Sequence, residues 1–478
     1  MSQRSVFFAW ILALSAAGSA VAQVPGTLDA GFATGGLRRV NIPVNGSPRS
    51  NNATGLFVQA DGKIVLGGAA MPVGNVVSVP QRMVAVRLTP GGALDTSFNG
   101  DGIVAIDGYP PAEGEARFSG GRVAPAPNGG VYLFNEASEP SCCPGWSLAR
   151  FNASGGLVGG FGDAGVVTGG SADYAFASDV ASRPDGRVLI FWDFNDEGGT
   201  IPDQQWIVEQ MTSTGDPDPG FGSSGARVIG FDLGDSWEDY SHALSLQPDG
   251  KALAVGFADL GTSSVNLDFA IARLTAGGAL DSSFSGNGKL TIGFGDTEEE
   301  ALAVAVDSKR RILIGGVSNG NCAIVRLRSN GTLDPTFSGD GKLTFSFASD
   351  AGAAFDQVFG LVVQGDGKVI VVGRASSTTG SGRRVGIARL NENGSFDPSF
   401  NSLAGRPGRQ VFDWATGSGS ASVARAVVLA ADGRIVLSGG AERASGDMDF
   451  VAARLHNDYV FADGFDWGGF GSWSALED

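Results

Sequence analysis

Two acidic runs hold the side chains in this sequence best suited to binding an ion. They are Asp235-Ser236-Trp237-Glu238-Asp239 and Asp296-Thr297-Glu298-Glu299-Glu300. Several carboxylates in one short loop suit Ca²⁺, a hard cation that takes oxygen ligands. The candidate ligands are Asp235, Glu238, Asp239, Asp296, Glu298 and Glu299; the plainer expectation is a pair of solvated loops, and no other cofactor is expected. Tyr109, Trp146, Trp206 and Trp237 read as loop aromatics that could stack on sugar rings on the ligand face, ordinary loop packing being the plainer expectation. Catalysis has little to draw on. The chain has 2 histidines, His242 and His456, and neither a G-x-S-x-G elbow nor an H-E-x-x-H pair. Paired carboxylates are the remaining route, which would suit a hydrolase or lyase acting on carbohydrate. Gly220-Phe221-Gly222-Ser223-Ser224-Gly225 fits the dinucleotide pattern, but no βαβ unit surrounds it and it falls on a turn that recurs elsewhere. Adjacent Cys142 and Cys143, with Cys322 alone, lack the further ligands a metal site needs and read as a loop staple or free thiols.

The elements that would position these residues form a repeat. A Leu-Asp-x-x-Phe turn occurs at Leu28-Asp29/Phe32, Leu94-Asp95/Phe98, Leu280-Asp281/Phe284 and Leu333-Asp334/Phe337. Weaker copies lie at Leu157/Phe161, Asp218/Phe221 and Phe396-Asp397/Phe400. An Asp-Gly or Asn-Gly hairpin between apolar strands follows at Asp61, Asn128, Asp185, Asp249, Asp366 and Asp432, with Asp307-Ser308 as a copy that has lost its glycine. These dipeptides predict type I′ turns. A strand then ends in Arg-Leu or a relative, at Arg87, Arg150, Arg273, Arg326, Arg389 and Arg454, with Gln210-Met211 in the third copy. Another glycine turn follows each copy except the last.

Each unit predicts four short strands, and units start near residues 27, 93, 156, 216, 279, 332 and 395. The expected fold is all-β, a seven-bladed β-propeller of four-stranded antiparallel blades spanning 23–457. Helical solenoids lack their 3.6-residue period here, and β-helix repeats are shorter. The Phe of each turn should pack between blades. The Asp should cap its own turn, and the Arg should pair with it and tie one blade's last strand to the next blade's entry. Strand alternation puts the Asp-Gly and Phe-Gly turns on one face of the disc. The long, dissimilar loops gather on the other, so a ligand site belongs there or at the mouth of the central channel.

The 75 glycines and 20 prolines suit dense turns, and a net charge of −17 lacks the basic footprint that nucleic acid requires. Residues 1–22 read as a signal peptide: Arg4, an apolar run from Val6 to Leu14, and Ala20-Val21-Ala22 before Gln23. That run is too short to cross a membrane, and no later stretch is long enough. The aromatic and acidic segment 458–478 breaks the repeat and reads as a sorting segment or a cap on the last blade.

These motifs resemble the delta-60 repeat family of bacterial secreted proteins. Gln247-Pro248-Asp249-Gly250-Lys251 and Gln364-Gly365-Asp366-Gly367-Lys368 match its consensus closely, while Asn128 and Gln210 depart from it. The likeness covers roughly residues 26–456 and implies a β-propeller without defined catalytic residues. The tail is similar to a Phe-x-Asp-Gly-Phe-Glu-x-Gly…Trp-Ser segment that ends unrelated exported proteins of some gammaproteobacteria. The expected function is that of an exported, monomeric, non-enzymatic scaffold for a protein or glycan partner. It would be secreted or held at the cell surface, with the periplasm as the alternative compartment.

Overall fold

The computed structural model describes residues 23–42, 49–72, 82–107, 121–138, 144–170, 174–195, 204–231, 233, 239–261, 266–348, 355–376, 382–402, 405–415, 421–443 and 447–458. Seven four-stranded antiparallel sheets surround one axis. Their innermost strands are Arg49–Val58, Arg122–Ala126, Tyr174–Ser182, Tyr240–Leu246, Glu299–Val306, Gln357–Val363 and Ser422–Leu429. Blades 1 to 6 take their four strands in chain order, from the axis outward.

Blade 7 is composite. Its outermost strand is the first in the sequence, Leu37–Val40, which pairs antiparallel with the last, Met448–Leu455. Each structural blade is therefore offset by one strand from the sequence unit: the Leu-Asp turn that opens a unit lies inside a blade.

Seven apolar clusters hold the ring, each built from two neighbouring blades. One joins Phe57, Val65 and Phe98 of blade 1 to Val123, Leu133 and Phe151 of blade 2. Another joins Phe32 and Phe450 to Ile64 and Val86 across the closing seam. Both faces of every sheet are thus covered. This explains why middle strands such as Ala252–Asp259 are buried along their whole length and show little polar alternation.

Five of the hairpins are not of the predicted type. At Asp61, Asp185, Asp249, Asp366 and Asp432 only the following glycine has positive φ. Gly62 N–H donates to the Gln59 carbonyl at 2.8 Å, which makes a type I turn closed by a left-handed glycine. Asp61 Oδ1 accepts the Lys63 N–H, so the aspartate stabilises the turn by accepting from the backbone, and Asp-Gly serves this three-residue loop as well as a two-residue one. Asn128-Gly129 alone has two positive φ values, +58° and +73°, and takes the I′ form.

In blade 5 the register differs from the sequence reading. The turn runs from Asp307 to Arg310, whose N–H donates to the Asp307 carbonyl. Arg310, at φ +62°, occupies the glycine position, so Asp307 aligns with Gln59 and not with Asp61.

Candidate functional site

The recurring polar residues meet on the hairpin face, and their geometry is structural. Arg87, Arg273, Arg326, Arg389 and Arg454 each donate through Nε to Oδ2 of Asp95, Asp281, Asp334, Asp397 and Asp29, at 2.7–2.9 Å. The same guanidinium groups lie 4.4–5.0 Å from the centroids of Phe98, Phe284, Phe337, Phe400 and Phe32. Nη1 reaches the next blade: Arg87 to the Ala153 carbonyl at 2.7 Å and Arg454 to that of Pro90 at 2.6 Å.

The residue after the hairpin glycine joins the same carboxylate, as in Lys251–Asp281 and Lys368–Asp397, both 2.9 Å. Burial works against ionisation of Asp95. Two hydrogen bonds from Ser97 and the Arg87 guanidinium outweigh it and hold the carboxyl down at about 2. Asp397 is held at about 2 against burial by Lys368, Ser399 and Arg389. The arginine therefore ties to the Asp of its own blade through Nε and to the following blade through a backbone carbonyl. This corrects the expected Arg–Asp tie between blades. The Phe does pack between blades: all seven are fully buried, and a Cβ on Gly155 of blade 2 would meet Phe98 of blade 1 at 3.2 Å.

Three blades vary this theme. In blade 3, Gln210 stands where the others carry arginine, and Arg183 stands where blades 1, 4 and 6 carry glutamine. Arg183 Nε donates to Gln210 Oε1 and Gln210 Nε2 to Asp218 Oδ2, both 2.6 Å, while Arg183 Nη2 reaches the Ala276 carbonyl at 3.4 Å. The two side chains have exchanged positions and kept the network. In blade 2, Val158 replaces the aspartate, and buried Arg150 Nε has no partner. At blade 6 the partner segment is the one after the last Arg-Leu, which has no glycine turn, and the side chains of Asn457 and Asp458 accept from Arg389.

The sequence-derived site residues do not converge. Among the described residues no group of three or more His, Cys, Asp or Glu could hold a metal ion. Glu299 is fully buried and caps its own loop, accepting the Phe294 N–H at 2.6 Å and the Asp296 N–H at 2.9 Å. Burial raises its carboxyl above the ordinary range. Asp296 accepts from the Ser318 hydroxyl, Glu298 is exposed, and Asp239 Oδ2 accepts the Phe231 N–H. Asp235, Trp237, Glu238, Tyr109, Cys142 and Cys143 lie outside the described residues, as do 1–22 and 459–478.

Trp146 and Trp206, candidate ligand-face aromatics read as loop residues, are instead core side chains of strands. Trp146 is 3% exposed against Phe134 and Trp192, and Trp206 is wholly buried against Phe191 and Phe231. Both sit in strands whose two faces are covered, which a one-sided loop reading misses. Cys322 is buried, which pushes its thiol well above the ordinary range. No helix among the described residues is long and apolar enough to cross a membrane.

The central channel, whose mouth the sequence offers as one place for a ligand, has a volume of about 510 Å³ and is lined by residues that the sequence did not single out. Six of the seven inner strands carry a bulge five residues before the hairpin, at Thr54, Ser178, His242, Leu302, Phe359 and Arg425. In five of the six a glycine on the adjacent strand gives the bulge room, and a Cβ on Gly439 would lie 1.9 Å from the Val423 carbonyl oxygen; blade 3 carries Trp192 at that position. Arg122 takes the corresponding place in blade 2. Its Nε donates to the Ser178 carbonyl at 2.9 Å and its Nη1 to the Thr54 carbonyl at 2.8 Å.

Beside it, Asp179 accepts the Val180 and Leu244 N–H groups at 2.9 and 2.8 Å, and burial raises its carboxyl despite Arg122. Arg425 stacks with its Cζ 4.1 Å from the Phe359 centroid. Burial first, then Arg122, Arg374 and Arg383, push it down to about 10. His242, tilted against Phe257, is held down at about 4 by burial and by Arg122, so its imidazole is neutral at pH 7. Each bulge carries a different residue type, so no repeat signal marks this ring.

No curated protein sequence matches the chain. Solved structures similar to it include a streptogramin B lyase, 9% identical, with 88% of this chain and 97% of that one covered and a TM-score of 0.42. A PL25 ulvan lyase is 7% identical over 86% and 95%, with a TM-score of 0.49. The β-propeller domain of the trilobed protease from Pyrococcus furiosus is 10% identical over 85% and 94%, with a TM-score of 0.40. Likenesses this distant say nothing of activity. Residues 59–98, 247–284, 310–337 and 364–400 match the family described as "Domain of unknown function (DUF5122) beta-propeller". With its seven antiparallel blades, the chain is a β-propeller repeat protein.

Proposed function

We propose that the chain is an exported, non-catalytic scaffold that recognises a protein or glycan partner through the face opposite the hairpins. The observation that carries this reading is how the repeated side chains are used. The recurring Arg, Asp, Lys and Phe residues serve ties within and between blades on the hairpin face, as in the Arg87–Asp95–Phe98 cluster. The dissimilar connections leave from the opposite face, where a rigid disc presents variable loops. Acid–base cleavage of a glycosidic bond uses two carboxylates across the sugar. The described channel lining offers Asp179, while Asp307 at the hairpin end is paired with Arg311 at 2.6 Å. Export rests on segment 1–22, and retention at the surface rests on segment 458–478.

The test is a panel of polysaccharides and purified secreted proteins screened by thermal unfolding of the mature chain from Gln23. It is repeated with residues 108–120 replaced by a Gly-Ser linker. Saturable stabilisation that the replacement removes, without a change in the unliganded melting temperature, is the expected result. Release of new reducing ends or of an unsaturated product from any polysaccharide would instead establish the hydrolase or lyase reading.

A further inference from the structure

The guanidinium of Arg425 is out of balance with the rest of the molecule. The chain carries 50 acidic residues against 33 basic ones, and arginines such as Arg87, Arg273 and Arg326 each have a carboxylate within 2.9 Å. Arg425 has no such partner among the described residues, and its Nε is buried with no hydrogen-bond partner. Its one packing contact of note is the Phe359 ring. Its charged neighbours, Arg122, Arg374 and Arg383, are of like sign. Removing a charge from water without a counter-charge is costly, and an arginine cannot escape the cost by losing its proton near neutrality.

The surroundings are built to hold that charge in place. Arg122 is fixed by two backbone carbonyls, from blades 1 and 3, and lines the same channel. Asp179 is the lining carboxylate nearest in sequence to Arg122's partner Ser178, and both of its oxygens are taken by backbone N–H groups. The lining thus sets the guanidinium groups of Arg122 and Arg425 against two committed carboxylates, Asp179 and, at the hairpin end, Asp307, which is paired with Arg311. The remaining surface carries no further charge and mixes small apolar residues such as Ala243, Ala303 and Ala426 with the neutral polar Thr54, Ser182 and Ser245. A volume of about 510 Å³ leaves ample room for a small ligand beside Arg425.

We propose that the central channel is an anion site in which Arg425, stacked on Phe359 and supported by the field of Arg122, binds a small oxyanion. A phosphate, sulfate or carboxylate group supplies the missing charge and presents paired oxygens that the planar guanidinium fork engages bidentately. The inference is independent of what the loop face binds, because it concerns inner strands that the loop replacement leaves intact.

The experiment is calorimetric titration of the mature chain with inorganic phosphate, sulfate and acetate, at constant ionic strength in a chloride buffer. The variants are Arg425→Gln, Arg425→Lys and Arg328→Gln, the last an exposed arginine as control. One-to-one saturable binding of at least one of the three anions is expected. Arg425→Gln should weaken it at least tenfold, Arg425→Lys should fall between, and Arg328→Gln should leave it unchanged. Preference for phosphate and sulfate over acetate would identify a tetrahedral ligand, and the reverse a carboxylate. Without added oxyanion, Arg425→Gln should melt no lower than the parent, which also shows that the variant folds. Absence of saturable binding for all three anions, or equal binding by Arg425→Gln, overturns the proposal.

Discussion

Arg454 and Asp29 lie 425 residues apart in sequence, yet Arg454 Nε donates to Asp29 Oδ2 at 2.8 Å. The contact reproduces Arg87–Asp95 and its equivalents, which are only 8 residues apart. Around it, the N-terminal segment supplies every part that the last sequence unit lacks. Asp29 N–H donates to the Arg454 carbonyl, His456 N–H to that of Thr27, and Asn401 N–H to that of Pro25. Gly26 takes the place of the missing glycine turn, since a Cβ there would meet Phe400 at 2.8 Å. The chain break of the ring therefore falls within a glycine turn, and the N-terminal segment from Val24 to Val40 completes blade 7.

The exchanged pair in blade 3 makes a sharp test of how the hairpin face is wired. Arg183→Gln removes the donor to Gly250 and Ala276, and Gln210→Arg sets a second guanidinium against Arg183. Each single variant should lose about 1–3 kcal/mol, while the double variant regains the arrangement of blade 1 and most of the stability. Urea unfolding of the four proteins reads the coupling. Additive losses would show that the positions are independent.

Val158→Asp should supply the carboxylate that Arg150 lacks. With its Nε unpartnered and buried, Arg150 incurs a desolvation cost that the new Oδ2 would remove, for a gain of about 1 kcal/mol at pH 7. The gain should vanish at acid pH, where the new carboxyl is protonated. Melting temperatures at the two pH values measure it.

Arg310→Gly should stabilise blade 5. The arginine sits at φ +62° and is exposed, so the substitution removes left-handed strain of about 1 kcal/mol without removing a buried contact. A rise in the urea midpoint at unchanged slope is the expected outcome.

Acid should loosen the ring from the hairpin face. Asp95 and Asp397 are held at about 2, below the ordinary 3.8. Their contribution is complete above pH 4 and is lost as the pH falls from there towards 2, because the unfolded chain takes up protons first. The stability difference between the parent and Asp95→Asn, measured from pH 6 to pH 2, should hold constant to about pH 4 and then shrink.

The repeat made much of this legible in sequence. The spacing of Phe32, Phe98 and their successors gave the blade count, and the Arg-Leu and Leu-Asp signals gave the partners of the polar ties. What escaped was whatever does not repeat. Arg310 hides a turn because its residue type argues against the conformation it adopts. Trp146 and Trp206 read as loop residues because both faces of a propeller blade are covered. Arg122, Asp179 and Arg425 carried no signal, since only the pitch of the blades around the axis brings them together. The blade boundary moved by one strand because a closed ring has no preferred start, and closure uses the two ends of the chain.

The most direct test of the account is to compare urea unfolding of Asp29→Ala and Asp95→Ala. If the N-terminal segment is an integral part of blade 7, both variants should unfold in one cooperative transition and lose a similar amount, about 3 kcal/mol. A negligible loss for Asp29→Ala beside a full loss for Asp95→Ala would mean that the N-terminal segment does not close the ring.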